Sequence, residues 1–126
     1  MVDLISQYEN IKTEVDKAVI EVMSTARFIK GPKVSAFEKH LSEYLGVKHS
    51  ITCANGTDAL ELSIKSLDPP YGSEIITTSN TFVSTVNSII NVGCKPVFAD
   101  IDESYNIDPN KIEKHITKKT FAIIPV

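Results

Sequence analysis

The chain has 126 residues, the size of a single domain, and its 42% hydrophobic and 23% charged residues are typical of a folded protein. A net charge of -3, with Arg27 as the only arginine, argues against a nucleic-acid surface, because binding to a phosphate backbone needs clustered lysine and arginine. No apolar run approaches the roughly 18 to 20 residues of a membrane span. We therefore expect no nucleic-acid or membrane partner and a cytoplasmic location.

Two helices are predicted at the start of the chain. Apolar residues recur at three- and four-residue spacing from Leu4 to Val22, which predicts an amphipathic helix. Gly31-Pro32 interrupts this pattern, and a second helix is predicted from about Val34 until Gly46 ends it. Residues 1–48 are therefore expected to form an N-terminal helical segment.

Strands and helices are predicted to alternate through the rest of the chain. The strands are predicted at 49–53, 74–77, 95–99 and 121–126, and the helices at 58–67, 81–92 and 108 to about 116. Such alternation predicts an α/β fold with a parallel sheet covered by helices on both faces. Because the chain ends inside a predicted strand, with nothing beyond its carboxyl end where such sheets bind ligands, we expect a truncated protein.

The junction between the first strand and its helix has the features of an anion site. The first amides of a helix lack intrahelical partners and lie at the positive end of the helix dipole, so a phosphate there gains hydrogen bonds and favourable charge. Gly56 permits a close approach of the backbone. Asp58 and Glu61 have capping-box spacing, which predicts Asp58 as the N-cap. An ordinary strand-turn-helix junction also fits, because a single glycine is less specific than a full glycine-rich fingerprint.

A second polar segment, residues 77–82, also follows a strand and opens a helix. Its first three residues are two threonines and a serine, all with hydroxyl groups, and Thr81 and Phe82 are its last two residues. We expect this segment at the same sheet edge as Gly56. The ring of Phe82 has two possible uses: stacking on a flat heterocycle, or packing in the core.

Other constellations have less specific interpretations. Asp100 and Asp102 follow a strand and could hold a divalent ion on a diphosphate in a metal-dependent sugar transferase. A polar turn is the favoured interpretation, because the sequence shows no basic phosphate clamp nearby. The three histidines are scattered without ligand spacing, so no metal site is predicted. Cys53 and Cys94 lie in or beside apolar stretches and are predicted to be buried thiols.

Taken together, these stretches resemble the DegT/DnrJ/EryC1/StrS sugar aminotransferases, pyridoxal-phosphate (PLP) enzymes of the aspartate-aminotransferase fold type. The matching motifs span essentially the whole chain and are Gly31-Pro32 with Val34, Phe37 and Glu38, residues 53–60, Thr81-Phe82 with Ser84-Thr85, and residues 96–102, 107–109 and 122–126. A small departure occurs at 72–74, where the family usually has an aspartate before the glutamate. The resemblance implies a three-layer α/β fold with a mostly parallel sheet (fold type I), and makes residues 49–126 the first, incomplete part of its large domain.

The resemblance also implies a cofactor site. The backbone amides around Gly56, Thr57 and Asp58 would hold the phosphate of PLP, the hydroxyl of Thr57 would be an additional donor, and Phe82 would stack on the pyridine ring. The carboxylate of Asp58 should point away from the phosphate, because two like charges at contact repel. No catalytic residue is expected in this chain, because the Schiff-base lysine and the aspartate on the pyridine nitrogen lie further along in the family. Lys30 is interpreted as a surface or substrate-side residue.

The function that the resemblance implies is transfer of an amino group from an amino acid, typically glutamate, to the keto carbon of a nucleotide-linked sugar for polysaccharide biosynthesis, by a homodimer when full length. A family dehydratase, in which histidine replaces the lysine, and a short non-catalytic sugar-nucleotide-binding protein remain alternatives. The isolated chain is expected to be inactive, and insoluble or loosely packed. In this fold type the first strand pairs with the seventh, so the sheet would be left with open edges.

Overall fold

A computed structural model describes residues 2–126 of the chain. Contacts between residues divide the chain into two compact units, Met1–Thr52 and Cys53–Val126. The expected division into residues 1–48 and 49–126 stays a prediction. Within residues 2–126, none of the helices combines the length and the apolar character that crossing a membrane requires.

The first unit contains the two predicted helices, α1 (Leu4–Thr25) and α2 (Pro32–Leu45). Asp3 caps α1 with its side chain, and Gly46 ends α2 in the left-handed conformation (φ 65°) that glycine adopts without strain. Neither helix has a fully buried residue. Both helices predicted from apolar spacing are confirmed.

The second unit is built on a parallel sheet of three strands in the order β2-β1-β3. Its elements in chain order are α3 (Gly56–Ser66), β1 (Glu74–Thr78), α4 (Val83–Asn91), β2 (Lys95–Ala99) and β3 (Thr120–Ile123). In the central strand, Ile76 lies opposite Val97 of β2 and Ile123 of β3. The predicted α/β fold class and parallel sheet are therefore confirmed, and helices and strands alternate from α3 onward.

The sheet is buried on both faces of its central strand. Ile75 and Ile76 are fully buried neighbours, and side chains alternate between the two faces of a strand. Ile75 packs in one apolar cluster with Ile64 of α3 and Ile89 of α4, whereas Ile76 packs in another with Ile107. Burial of each isoleucine side chain stabilises the folded unit by about 1.5–3 kcal/mol, so these two residues of β1 contribute strongly to its stability.

Residues 49–53 do not form a strand, and that prediction is wrong. A strand needs a neighbour for its backbone hydrogen bonds, and none of the described strands pairs with this segment. The amide of Thr52 instead donates to the carboxylate of Glu38 at 2.9 Å. Because the segment is outside the sheet, Cys53 is exposed, which contradicts its predicted burial. Cys94 is buried as predicted, and this burial raises the pKa of its thiol.

The helix predicted from residue 108 consists of two short 3₁₀ turns, Pro109–Lys111 and Glu113–His115. Asp108 caps the first turn as predicted, because its side chain accepts a hydrogen bond from the amide of Asn110 at 2.9 Å. Both turns are closed by the tighter hydrogen bonds, three residues apart, that are common in short connections. The predicted start is therefore right and the predicted α-helix is wrong.

Candidate functional site

Asn55, and not Asp58, is the N-cap of α3. The side-chain oxygen of Asn55 accepts a hydrogen bond from the amide of Asp58 at 2.9 Å, and the side-chain amide of Asn55 donates to the carboxylate of Asp58 at 3.1 Å. The helix begins at Gly56, two residues before its predicted start. The N-cap role predicted for Asp58 is therefore wrong. The signal was present in the sequence, because asparagine is as good an N-cap as aspartate and stands three residues before it.

The start of α3 offers two backbone donors. The amides of Gly56 and Thr57 are the first two of the helix and have no intrahelical acceptor, whereas the amide of Asp58 is bonded to Asn55. A Cβ placed on Gly56 would meet no atom within 4 Å, so the backbone is open to an approaching group. Among residues 2–126 neither amide has a hydrogen-bond acceptor, and two such amides at the positive end of an 11-residue helix favour an anion.

A pair of hydroxyl groups joins the first turns of α3 and α4. The Oγ1 of Thr57 lies 2.7 Å from the Oγ of Ser84, which is a hydrogen bond in which either atom can be the donor. Ser84 is the second residue of α4 and is only 8% exposed. The two helix starts are therefore neighbours, although no local sequence pattern predicts this contact. No spacing rule joins residues 27 positions apart, and Ser84 was noted only as part of a family motif.

Phe82 precedes the first residue of α4, with an extended backbone. Its side chain is 76% exposed, so it does not belong to the core of the second unit, and the core interpretation is wrong. The predicted helix start at Thr81 is also wrong by two residues, because α4 begins at Val83. An exposed ring at this position is accessible to a flat ligand.

Thr77 carries a buried hydroxyl without a partner among the described residues. It lies two residues after Ile75 in β1, so its side chain is on the sheet face that α3 and α4 cover. A buried hydroxyl that stays unpaired costs about 1–3 kcal/mol. This face of the sheet therefore holds one unused polar group near the carboxyl end of the central strand.

The carboxylates after β2 make the bonds of a polar turn. Asp100 accepts a hydrogen bond from the amide of Ile101 at 2.9 Å and forms an ion pair with Lys111 at 3.2 Å, and these contacts lower its pKa. Asp102 accepts hydrogen bonds from the hydroxyl and then the amide of Ser104, and these bonds lower the pKa of Asp102 as well. Both carboxylates thus have partners within the chain. No cluster of three or more potential metal ligands occurs in residues 2–126.

An open depression of about 610 Å³ lies on the first unit, along the segment 26–32 that joins α1 to α2. Arg27 and Lys30 line it, so its charged side chains are basic. A Cβ on Gly31 would come within 2.3 Å of the carbonyl oxygen of Arg27, which explains why glycine stands here. Pro32 then occupies the first helical position, where its missing amide costs nothing.

Known proteins resemble this sequence over nearly all of its length. The sequence model of the DegT/DnrJ/EryC1/StrS aminotransferase family matches residues 9–126. A "pleiotropic regulatory protein" of Geobacillus stearothermophilus is 45% identical over 100% of this chain and 34% of its own length. A UDP-2-acetamido-2-deoxy-3-oxo-D-glucuronate aminotransferase of Pseudomonas aeruginosa is 41% identical over 99% of this chain and 35% of its own.

The fold also resembles that of solved structures. The structure of NtdA from Bacillus subtilis with bound cofactor PMP has a TM-score of 0.88 and 35% identity, covering 92% of this chain and 27% of that one. The α/β fold of the second unit is therefore that of PLP-dependent aminotransferases, and the chain spans about a third of the length of the curated relatives it matches. Because the family match extends over nearly all of the sequence, the chain belongs to the DegT/DnrJ/EryC1/StrS aminotransferase family.

Proposed function

We propose that this protein takes part in the transfer of an amino group from an amino acid, with glutamate as the expected donor, to the keto carbon of a nucleotide-linked sugar. Its family membership and the sugar aminotransferases among its relatives support this activity. The observation in the chain itself that carries the proposal is the pair of free amides at Gly56 and Thr57. They are the donor set that a cofactor phosphate needs.

The residues at the start of α3 fit the phosphate group of PLP. The backbone amides of Gly56 and Thr57 would donate hydrogen bonds to the phosphate, because neither has an acceptor within the helix. The hydroxyl of Thr57 would donate a third, because Thr57 is half-exposed. The amide of Asp58 already bonds Asn55, so we narrow the expected role of Asp58 to holding the Asn55 side chain through its carboxylate. Its amide would bind phosphate only if Asn55 released it.

Phe82 completes the proposed cofactor site. Its exposed ring is available to stack on the pyridine ring, and this contact would fix the plane of the cofactor. Bound PLP supplies a carbonyl carbon that accepts the amino group and a ring that takes up electrons. In this proposal the described residues bind and orient the cofactor, and none of them transfers a proton.

We further propose that none of the twelve lysines of this chain bonds covalently to the cofactor, so that residues 1–126 are inactive alone. None of these lysines stands in a stretch that resembles the lysine motif of the family. The relatives are also about three times as long as this chain. A homodimeric assembly and a cytoplasmic location belong to the same proposal.

Reduction of the native protein with borohydride tests two proposals together: that PLP is the cofactor, and that the lysine bonded to it lies outside residues 1–126. Peptide mapping should find a pyridoxyl-lysine at a residue that is none of the twelve in this chain. The same preparation should form 2-oxoglutarate from glutamate when a nucleotide-linked keto-sugar is supplied. A protein that binds PLP without any pyridoxyl-lysine would instead be the dehydratase alternative, and one that binds only the sugar nucleotide would be the non-catalytic alternative.

A further inference from the structure

We propose that Ser84 is a positioning residue that orients the hydroxyl of Thr57 toward the cofactor phosphate. The inference rests on the proposed function, because it assigns a role to a neighbour of the proposed phosphate donor. Its structural basis is the 2.7 Å contact between the two hydroxyl oxygens, which joins the second residue of α3 to the second residue of α4.

The contact is suited to positioning because its two ends differ in exposure. Each is the second residue of its helix, but Ser84 is only 8% exposed, whereas Thr57 is half-buried beside the open start of α3. A hydroxyl can rotate freely unless a partner fixes it. The buried serine is therefore the fixed partner, and the threonine is the one that can reach a ligand.

The direction of the hydrogen bond follows from the charge of the ligand. A phosphate presents only acceptors to Thr57, so the hydroxyl of Thr57 must donate its one hydrogen bond to the phosphate. Its oxygen then has to accept in the bond with Ser84, and Ser84 becomes the donor. Such a chain from Ser84 to Thr57 to phosphate is cooperative, because a hydroxyl that accepts a hydrogen bond becomes a stronger donor.

The affinity of the complete, cofactor-free protein for PLP and for pyridoxal tests this role, because the two ligands differ only in the phosphate. We compare wild type with Ser84→Ala and with Ser88→Ala. Ser88 is a matched control, since it is a fully buried serine of the same helix that bonds only to the backbone oxygen of Thr85, at 2.9 Å. If Ser84→Ala does not fold, Ser84→Cys takes its place, because it keeps the side-chain size and has only a weak donor.

We expect Ser84→Ala to bind PLP about 3- to 10-fold more weakly, the usual effect of losing one hydrogen bond, and to bind pyridoxal within about twofold of wild type. Ser88→Ala should leave both affinities unchanged within about twofold. In a Thr57→Val background, Ser84→Ala should have no further effect, because the two residues act as a unit. Equal weakening of both ligands, an additive effect with Thr57→Val, or no effect on PLP would overturn the proposal. Absence of PLP binding by wild type would instead refute the proposed function itself.

Discussion

Glu38 accepts two hydrogen bonds from Thr52, one from the backbone amide at 2.9 Å and one from the hydroxyl at 2.7 Å. These bonds attach the segment that follows α2 to the helix itself. The hydrogen bond from the Thr52 hydroxyl, and to a smaller extent the one from the Thr52 amide, lower the pKa of Glu38 below its usual 4.5, because both stabilise the charged carboxylate.

The depressed pKa of Glu38 predicts an acid sensitivity of the folded protein. A carboxyl whose pKa is lower in the folded than in the unfolded state stabilises the protein above the unfolded pKa, and this contribution is lost as the pH falls through the folded pKa. The unfolding free energy of Glu38→Gln should therefore fall less than that of wild type between about pH 6 and pH 3. Urea unfolding at several pH values measures this, and parallel curves for the two proteins would contradict it.

The N-cap assignment predicts which polar residue stabilises the start of α3. Asn55→Ala should lower the unfolding free energy by about 1 kcal/mol, because the amide of Asp58 loses its acceptor. Asp58→Ala should lower the unfolding free energy by less, because the backbone amide that Asn55 caps is still present. Urea unfolding of both variants in the cofactor-free protein measures the difference. A larger loss for Asp58→Ala would return the N-cap role to Asp58.

The core of the second unit predicts a contrast between two isoleucines. Ile75 is fully buried and packs against α3 and α4, so Ile75→Ala should cost about 2–5 kcal/mol of unfolding free energy. Ile90 in α4 is 54% exposed, so Ile90→Ala should change the unfolding free energy by no more than about 0.5 kcal/mol. Similar losses for the two variants in urea unfolding would show that the exposed face of α4 is covered in the complete protein.

Residues 1–126 expressed alone should be insoluble or loosely packed. The 22-residue helix α1 has no fully buried residue and exposes Leu4, Ile5 and Ile20, and exposed apolar surface of this kind promotes association. Both outer strands of the sheet also have an unpaired edge among the described residues. Size-exclusion chromatography and urea unfolding test this. A cooperative unfolding transition of a monomer would contradict the prediction.

The parts of the fold that could be predicted from the sequence are those set by local patterns. The strands β1 and β2 lie within one residue of their predicted ends, because buried parallel strands are short apolar runs between turn residues. The segment 49–53 has the same apolar pattern, but a strand also needs a neighbour, and apolar pattern alone does not reveal whether one is present. Its prediction failed for that reason.

The candidate site could be predicted only in part for a similar reason. Gly56 was identified because a glycine turn into a helix is a local signal, whereas Thr57 was identified only through the family resemblance. Two good N-cap residues, Asn55 and Asp58, stand three positions apart, and backbone geometry decides between them. The contact of Thr57 with Ser84 depends on how α3 and α4 pack, which no local pattern encodes.

A crystal structure of the complete protein with PLP tests the central claim most directly. We predict phosphate oxygens within about 3 Å of the amide nitrogens of both Gly56 and Thr57, with the Thr57 hydroxyl as a further donor and the ring of Phe82 against the pyridine ring. A phosphate bound at another helix, with the first amides of α3 left to solvent, would contradict the claim.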